Sequence, residues 1–170
     1  LTPTELHPAR SIRTVDVVVA AYAEPLDIVR AALIGCRELR YPHQTWLVDD
    51  RRRPELQLLA EEMGVNYITR DDTSNGRTGA LNHVVSQSSG EFILLLDADQ
   101  VALPDAIHRT IGYFDDPRVA LVQTPLEYQN RDSVLHADHN RHERSLANEV
   151  INRGRDQLGA ALWEGPSALL

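Results

Sequence analysis

Lysine is absent from this sequence. All 17 basic residues among its 170 are arginine. That excludes Schiff-base chemistry on a lysine and the phosphate-binding lysine of a Walker A loop. Cysteine is scarce too: Cys36 stands alone, so no internal disulfide forms and a cysteine-based zinc site lacks ligands. No run approaches the roughly 18 consecutive apolar residues that a bilayer-crossing helix needs. Residues 1–10 carry no apolar core of the kind a signal peptide has. Basic charge is also in deficit, with a formal net charge of −8. A nucleic-acid backbone wants a basic face, so no nucleic-acid partner is expected. What remains is ordinary for a globular domain: 42% hydrophobic and 25% charged residues, enough for one core. Internal repeats and low-complexity tracts are missing.

Residues 1–14, with Pro3 and Pro8, read as a polar lead-in segment. From residue 15 to 170 apolar runs and helical patterns alternate. Strands are expected near 15–21, 45–49, 65–69, 92–96 and 119–123, the first and fourth as buried β-branched or leucine-rich runs. Pro25 opens a helix whose apolar face is Leu26, Val29, Ala32, Leu33 and Cys36. Pro54 opens a second through Leu56, Leu59, Ala60 and Met63, closed by Gly64. Residues 70–78 read as polar loop, and a third helix runs from Gly79 to Gln87. Pro104 starts a fourth through Ile107 and Ile111. Residues 133–157 read as a long polar helix. Alternation at this spacing implies an α/β fold with a mainly parallel sheet and helices on both faces. Ligands of such sheets bind beyond the carboxyl ends of the strands. Acidic residues gather there: Glu24 after the first strand, Asp49 and Asp50 after the second, Asp97 and Asp99 after the fourth.

Each of these groups has two readings. Asp97 and Asp99 can share a hard divalent cation, Mg²⁺ or Mn²⁺, or belong to a solvated turn. Asp49 and Asp50 can accept from a base or ribose, or cap the helix that begins at Pro54. Arg51, Arg52 and Arg53 can meet phosphate or neutralise the acidic rim. Arg77, read in a glycine-bearing loop before a helix, can meet an anion near that helix N-terminus or lie on the surface. His136, His139 and His142 have i, i+3, i+6 spacing, and an exposed helix face is the favoured reading over a metal site. Cys36 reads as packing, and Trp46 and Trp163 as core.

The motifs together carry a resemblance. Ala21-Tyr22-Ala23-Glu24-Pro25 resembles the Tyr-x-Glu-Pro of processive family-2 glycosyltransferases of the cellulose synthase type. Residues 49–55 resemble their Asp-Asp-Gly-Arg-Arg-Pro-Glu, and residues 77–83 their Lys-Ala-Gly-Asn-Leu-Asn-His. Asp97-Ala98-Asp99 matches their Asp-x-Asp, and Val122-Gln123-Thr124-Pro125 their Val-Gln-Thr-Pro. Residues 154–156 and 161–166 resemble the stretch leading into their Phe-x-Cys-Gly-Ser. The matches keep the family's order and approximate spacing.

The resemblance implies a GT-A (Rossmann-like) fold, a UDP-sugar donor with glucose as the expected sugar, and inverting synthesis of a β-linked polysaccharide. Tyr22, Glu24, Asp49 and Asp50 are then expected at the uridine, with Ala21 also among the nucleotide-sugar-binding residues. Asp97 is expected at the diphosphate and Asp99 at the Mg²⁺ or Mn²⁺, with Asp97 beside it. Arg77 stands where the family has its diphosphate-contacting lysine. Three positions depart from the pattern: Arg51 replaces a glycine, and Glu164 and Pro166 replace a cysteine and a serine. The family's Thr-Glu-Asp, which supplies the base, and its Gln-x-x-Arg-Trp do not occur in these residues. The chain begins at Leu and stops soon after Gly165-Pro166, so it reads as a C-terminally truncated piece, with the base expected beyond Leu170. It is expected to be soluble and inactive alone. The whole protein is expected at the cytoplasmic face of the cell membrane, held by flanking helices, with a growing polysaccharide as acceptor. The alternatives are another GT-A enzyme, a non-processive sugar transferase or a nucleotidyltransferase, and a catalytically inactive nucleotide-binding module.

Overall fold

The computed structural model describes residues 9, 11–70, 76–126, 151–152, 155 and 167–170 (76 and 77 by their backbone). The elements in order are β1 (Val15–Ala21), α1 (Leu26–Arg37), β2 (Gln44–Asp49), α2 (Pro54–Met63), β3 (Asn66–Ile68), α3 (Gly76–Val85), β4 (Phe92–Asp97), α4 (Ala106–Thr110) with a 3-10 turn over Ile111–Asp115, β5 (Val122–Gln123) and β6 (Ala168–Leu169). The sheet order is β3-β2-β1-β4-β6-β5. The chain divides into two compact units, Leu1–Val122 with Pro166–Leu170, and Gln123–Gly165. Of the second, residues 123–126, 151, 152 and 155 are described.

In the first unit β1 is central and parallel to both β2 and β4, and β2 is parallel to β3. The pleat sorts alternate side chains onto two faces. Val17, Val19, Leu47, Leu94 and Leu96 join one core with Val29, Leu33, Leu56 and Leu59 of α1 and α2. Val18, Val48, Ile93 and Leu95 point the other way and pack with Ala80 and Val84 of α3. A sheet covered on both faces explains why its strands are apolar without interruption. Cys36 lies fully buried on α1, as packing requires; Leu26, on the expected apolar face, is exposed instead because it opens the helix. Trp46 is partly buried against the α3 face. Gly64 closes α2 with φ of 67°, a left-handed conformation that favours glycine. The buried Asp16 carboxylate accepts from the Ser89 and Gly90 amides at 3.0 and 2.8 Å, tying the start of β1 to the entry of β4.

Four details differ from the sequence reading. α3 begins at Gly76, not Gly79, so Arg77 lies on its first turn rather than in a preceding loop. The two glycines weaken the local helix signal without preventing the helix, since packing of Ala80 and Val84 holds it. The fourth helix is short and tightens into a 3-10 turn at Ile111. The expected 119–123 strand shrinks to Val122–Gln123. A sixth strand, Ala168–Leu169, pairs antiparallel with β4, Leu169 opposite Leu94 and Ala168 opposite Leu95. Two residues give no periodicity, and their partner lies over seventy positions away. The 133–157 helix lies almost wholly outside the described residues, as do His136, His139, His142, Trp163, Glu164 and Pro166.

Candidate functional site: the carboxyl-end rim

Register brings the expected residues to one edge. Ala20 pairs with Val48 on one side and Asp97 on the other, and Ala21 faces Asp49. The Ala98 amide donates to the Ala20 carbonyl at 3.1 Å, carrying the β1–β4 pairing past the strand end. Ala21, Tyr22 and Glu24, Asp49 and Asp50, and Asp97 and Asp99 therefore leave three adjacent strands along a common rim. Arg77 is placed on α3 by its backbone alone.

After β1 the chain turns at once. The Glu24 carboxylate folds back to accept from the Tyr22 and Ala23 amides at 2.6 and 3.1 Å. Pro25 then starts α1, its carbonyl accepting from Ile28 and Val29. This local closure leaves Tyr22 exposed on the rim.

After β2 the carboxylates turn inward. Asp49 is fully buried. Its Oδ1 accepts from the Arg51 amide at 3.0 Å, and its Oδ2 from the Arg53 amide at 2.6 Å and the Tyr67 hydroxyl at 3.0 Å. Arg53 Nε lies 3.4 Å from Oδ1, and Arg53 Nη1 donates to the Glu24 carbonyl at 2.7 Å. Asp49 thus shapes the loop into α2 without being the cap itself, since Arg53 occupies that position with no side-chain cap. The Tyr67 hydroxyl is pushed above the usual tyrosine range by burial and by its bond to Asp49. Asp50 is held by Arg70 in a fork: Nε to Oδ1 at 2.7 Å and Nη2 to Oδ2 at 2.8 Å. Both side chains of that pair are nearly buried.

The three arginines that follow behave differently from one another. Arg53 serves Asp49 and Glu24. Arg52 adopts a φ of 54°. Arg51 is exposed, its guanidinium carbon 4.6 Å from the centre of the Tyr22 ring, within cation–π range.

After β4 the pair is less buried. Asp97 is half-buried and Asp99 exposed. The Asp97 amide donates to Gln100 Oε1 at 3.0 Å, which also accepts from the Ser167 hydroxyl at 3.0 Å. The turn is thereby tied to the residue preceding β6. Among the described residues nothing engages the Asp99 carboxylate, and no group of three metal-ligating side chains forms. Two hard carboxylates of this kind suit Mg²⁺ or Mn²⁺, which keep few protein ligands and complete their shell with water and phosphate oxygens. Sequence reasoning missed Tyr67, Arg70, Gln100 and Ser167. Arg70 follows β3 by two residues on the same edge, which placed it within reach of Asp50; Gln100 and Ser167 gave no signal.

A mainly parallel α/β sheet with an acidic rim of this kind has the fold of the GT-A glycosyltransferases. The glucosyl-3-phosphoglycerate synthase of Mycobacterium tuberculosis, solved with UDP, matches with a TM-score of 0.62 at 18% identity, over 97% of this chain and 58% of that one. The mannosyltransferase of Pyrobaculum calidifontis, solved with GDP-Man and Mn²⁺, matches with a TM-score of 0.60 at 22% identity, over 73% and 40%. Within that class, residues 16–165 match the glycosyl transferase family 2 profile, and the chain belongs to that family. Its relatives are cellulose synthases. Cellulose synthase 1 of Komagataeibacter xylinus is 33% identical over 165 residues, 92% of this chain and 11% of that protein. The cellulose synthase 1 catalytic subunit [UDP-forming] of the same species is 30% identical, over 92% and 22%. The chain thus spans between about a tenth and a fifth of these relatives.

Proposed function

We propose that this chain is the donor-binding part of a processive glycosyltransferase of the cellulose synthase type. It holds a UDP-sugar, glucose being the sugar, for inverting transfer to a growing β-linked polysaccharide. The observation that carries the reading is the rim itself. Tyr22, Asp99 and half-buried Asp97 stand on one edge of three neighbouring strands, where such sheets take their ligands. The kinship with cellulose synthases, one of them named as UDP-forming, supports the choice of donor.

Tyr22 borders the uridine, with Ala21 and Glu24 shaping the turn that presents it. Asp49 and Asp50 serve the same pocket from behind, by fixing the loop and Arg70. Asp97 and Asp99 hold Mg²⁺ or Mn²⁺, with Asp99 the principal ligand. That metal, when bound, supplies positive charge to the departing diphosphate. Arg77 adds a second positive charge from the start of α3. The general base comes from sequence outside this chain. Among the described residues no helix is long and apolar enough to cross a membrane. Membrane attachment and the polysaccharide acceptor belong, in this reading, to a longer protein working at the cytoplasmic face.

Calorimetric titration tests the reading. UDP is expected to bind with Mg²⁺ or Mn²⁺ and to bind poorly with chelator. Arg77→Ala should weaken UDP about ten- to a hundredfold while sparing uridine, because a charge-assisted contact to phosphate is lost. Equal binding of UDP with and without metal contradicts the metal assignment. Equal loss for uridine and UDP contradicts the role given to Arg77.

A further inference from the structure

Position 51 is where this rim departs from the motif it otherwise resembles: arginine stands for glycine. The Arg51 guanidinium lies over the Tyr22 ring, 4.6 Å from its centre. Among the described residues that stack is the guanidinium's one engagement, and its N–H donors meet no acceptor among them. The backbone beneath is tightly specified. The buried Asp49 carboxylate takes the amides of Arg51 and Arg53, and between them Arg52 sits at φ 54°, a costly conformation for a residue with a Cβ. A loop held this firmly presents a cation with unused donors beside the exposed aromatic of the rim.

We propose that Arg51 reads the nucleobase of the donor. Steadied on Tyr22, its guanidinium donates to the carbonyl edge of uracil and selects a nucleoside diphosphate with acceptors there. This rests on the donor-binding reading above. Placement favours the base over the diphosphate: Arg51 follows β2, whereas Asp97 and Asp99 follow β4, on the other side of β1. Arginine carries five donors and no acceptor. It therefore matches a uracil carbonyl and opposes the exocyclic amine that cytosine has in its place. Tyr22 stays 60% exposed with Arg51 over it, so the stack leaves ring surface for a base.

Titration of UDP and CDP in Mg²⁺ against the wild type, Arg51→Gly, Arg51→Lys and Arg37→Ala tests this. The wild type should prefer UDP by about tenfold, the worth of one charge-assisted contact. Arg51→Gly should weaken UDP about tenfold, leave CDP nearly unchanged and bring their ratio toward one. Arg51→Lys keeps the charge without the fork and should fall between. Arg37→Ala removes one positive charge from the far end of α1 and should leave the ratio unchanged. A UDP:CDP ratio that survives Arg51→Gly overturns the proposal, and tighter UDP binding in that variant means that Arg51 occupies the place of the base. A wild type that binds no UDP at all, with or without metal, overturns the donor-binding reading, and this inference with it.

Discussion

Asp49 and Asp50 end β2; Asp97 and Asp99 end β4, across β1 on the same rim. At the first pair every acceptor is turned to the protein. Asp49 collects two amides, a phenol and a guanidinium in full burial, and Asp50 is forked by Arg70. At the second pair Asp99 points to solvent with nothing among the described residues against it. Buried carboxylates must be paired, whereas an exposed one costs nothing to leave open. Acidic residues in equivalent topological positions are thus held differently. One pair builds the rim, whereas Asp99 of the other stands exposed on it.

Substitution should separate the two. Asp49→Asn removes the buried charge that answers half-buried Arg53 and disturbs the bond to Tyr67, so chemical denaturation should show a loss of about 3 kcal/mol. Arg70→Ala strands Asp50 and should cost about 3 kcal/mol. Asp99→Asn should stay within about 0.5 kcal/mol of wild type, like other exposed changes away from a packed feature. A stability loss at Asp99 as large as at Asp49 would erase the distinction between the pairs.

Two titrations set the rim against the rest of the molecule. Burial pushes the Cys36 thiol up to about 12. The unfolded thiol ionises near pH 8.5 while the folded one keeps its proton, so the unfolded state binds fewer protons and stability falls as pH rises from about 9 to about 12. Cys36→Ala should flatten part of that decline in alkaline denaturation curves, and native Cys36 should resist alkylation at pH 8. Smaller still is the effect of Asp116. The Arg118 guanidinium beside it holds its carboxyl down at about 2. Its contribution is present above the ordinary aspartate range near 4 and is lost as pH falls toward 2. Because the pair is exposed, acid melts of Arg118→Ala should differ only slightly from wild type.

Much of this architecture was legible in the sequence, for local reasons. Val15–Ala21 and Phe92–Asp97 are apolar runs too short for helices, and Pro25, Pro54 and Gly64 mark helix ends through their own backbone restrictions. β6 was not legible, because its two residues are defined only by β4 opposite. The start of α3 was hidden by Gly76 and Gly79, whose weak propensity is overridden by packing on the sheet. At the rim, spacing located the carboxylates but was silent on which way they face. Asp49 and Asp97 look alike as strand-end aspartates, and only the neighbouring Tyr67, Arg53 and Arg70 set Asp49 and Asp50 apart. Those partners come from other elements or from across a turn.

The central claim of the proposed function is that Asp99, exposed on the rim beside half-buried Asp97, is the principal ligand of a metal–nucleotide complex. Electron paramagnetic resonance of Mn²⁺ in solution reads this directly, because the free ion gives a sharp six-line signal that fades on binding. Adding the wild-type protein with UDP should quench that signal beyond the effect of UDP alone. Asp99→Asn at the same concentrations should leave the signal as UDP alone leaves it. Undiminished quenching by a folded Asp99→Asn protein would contradict the account.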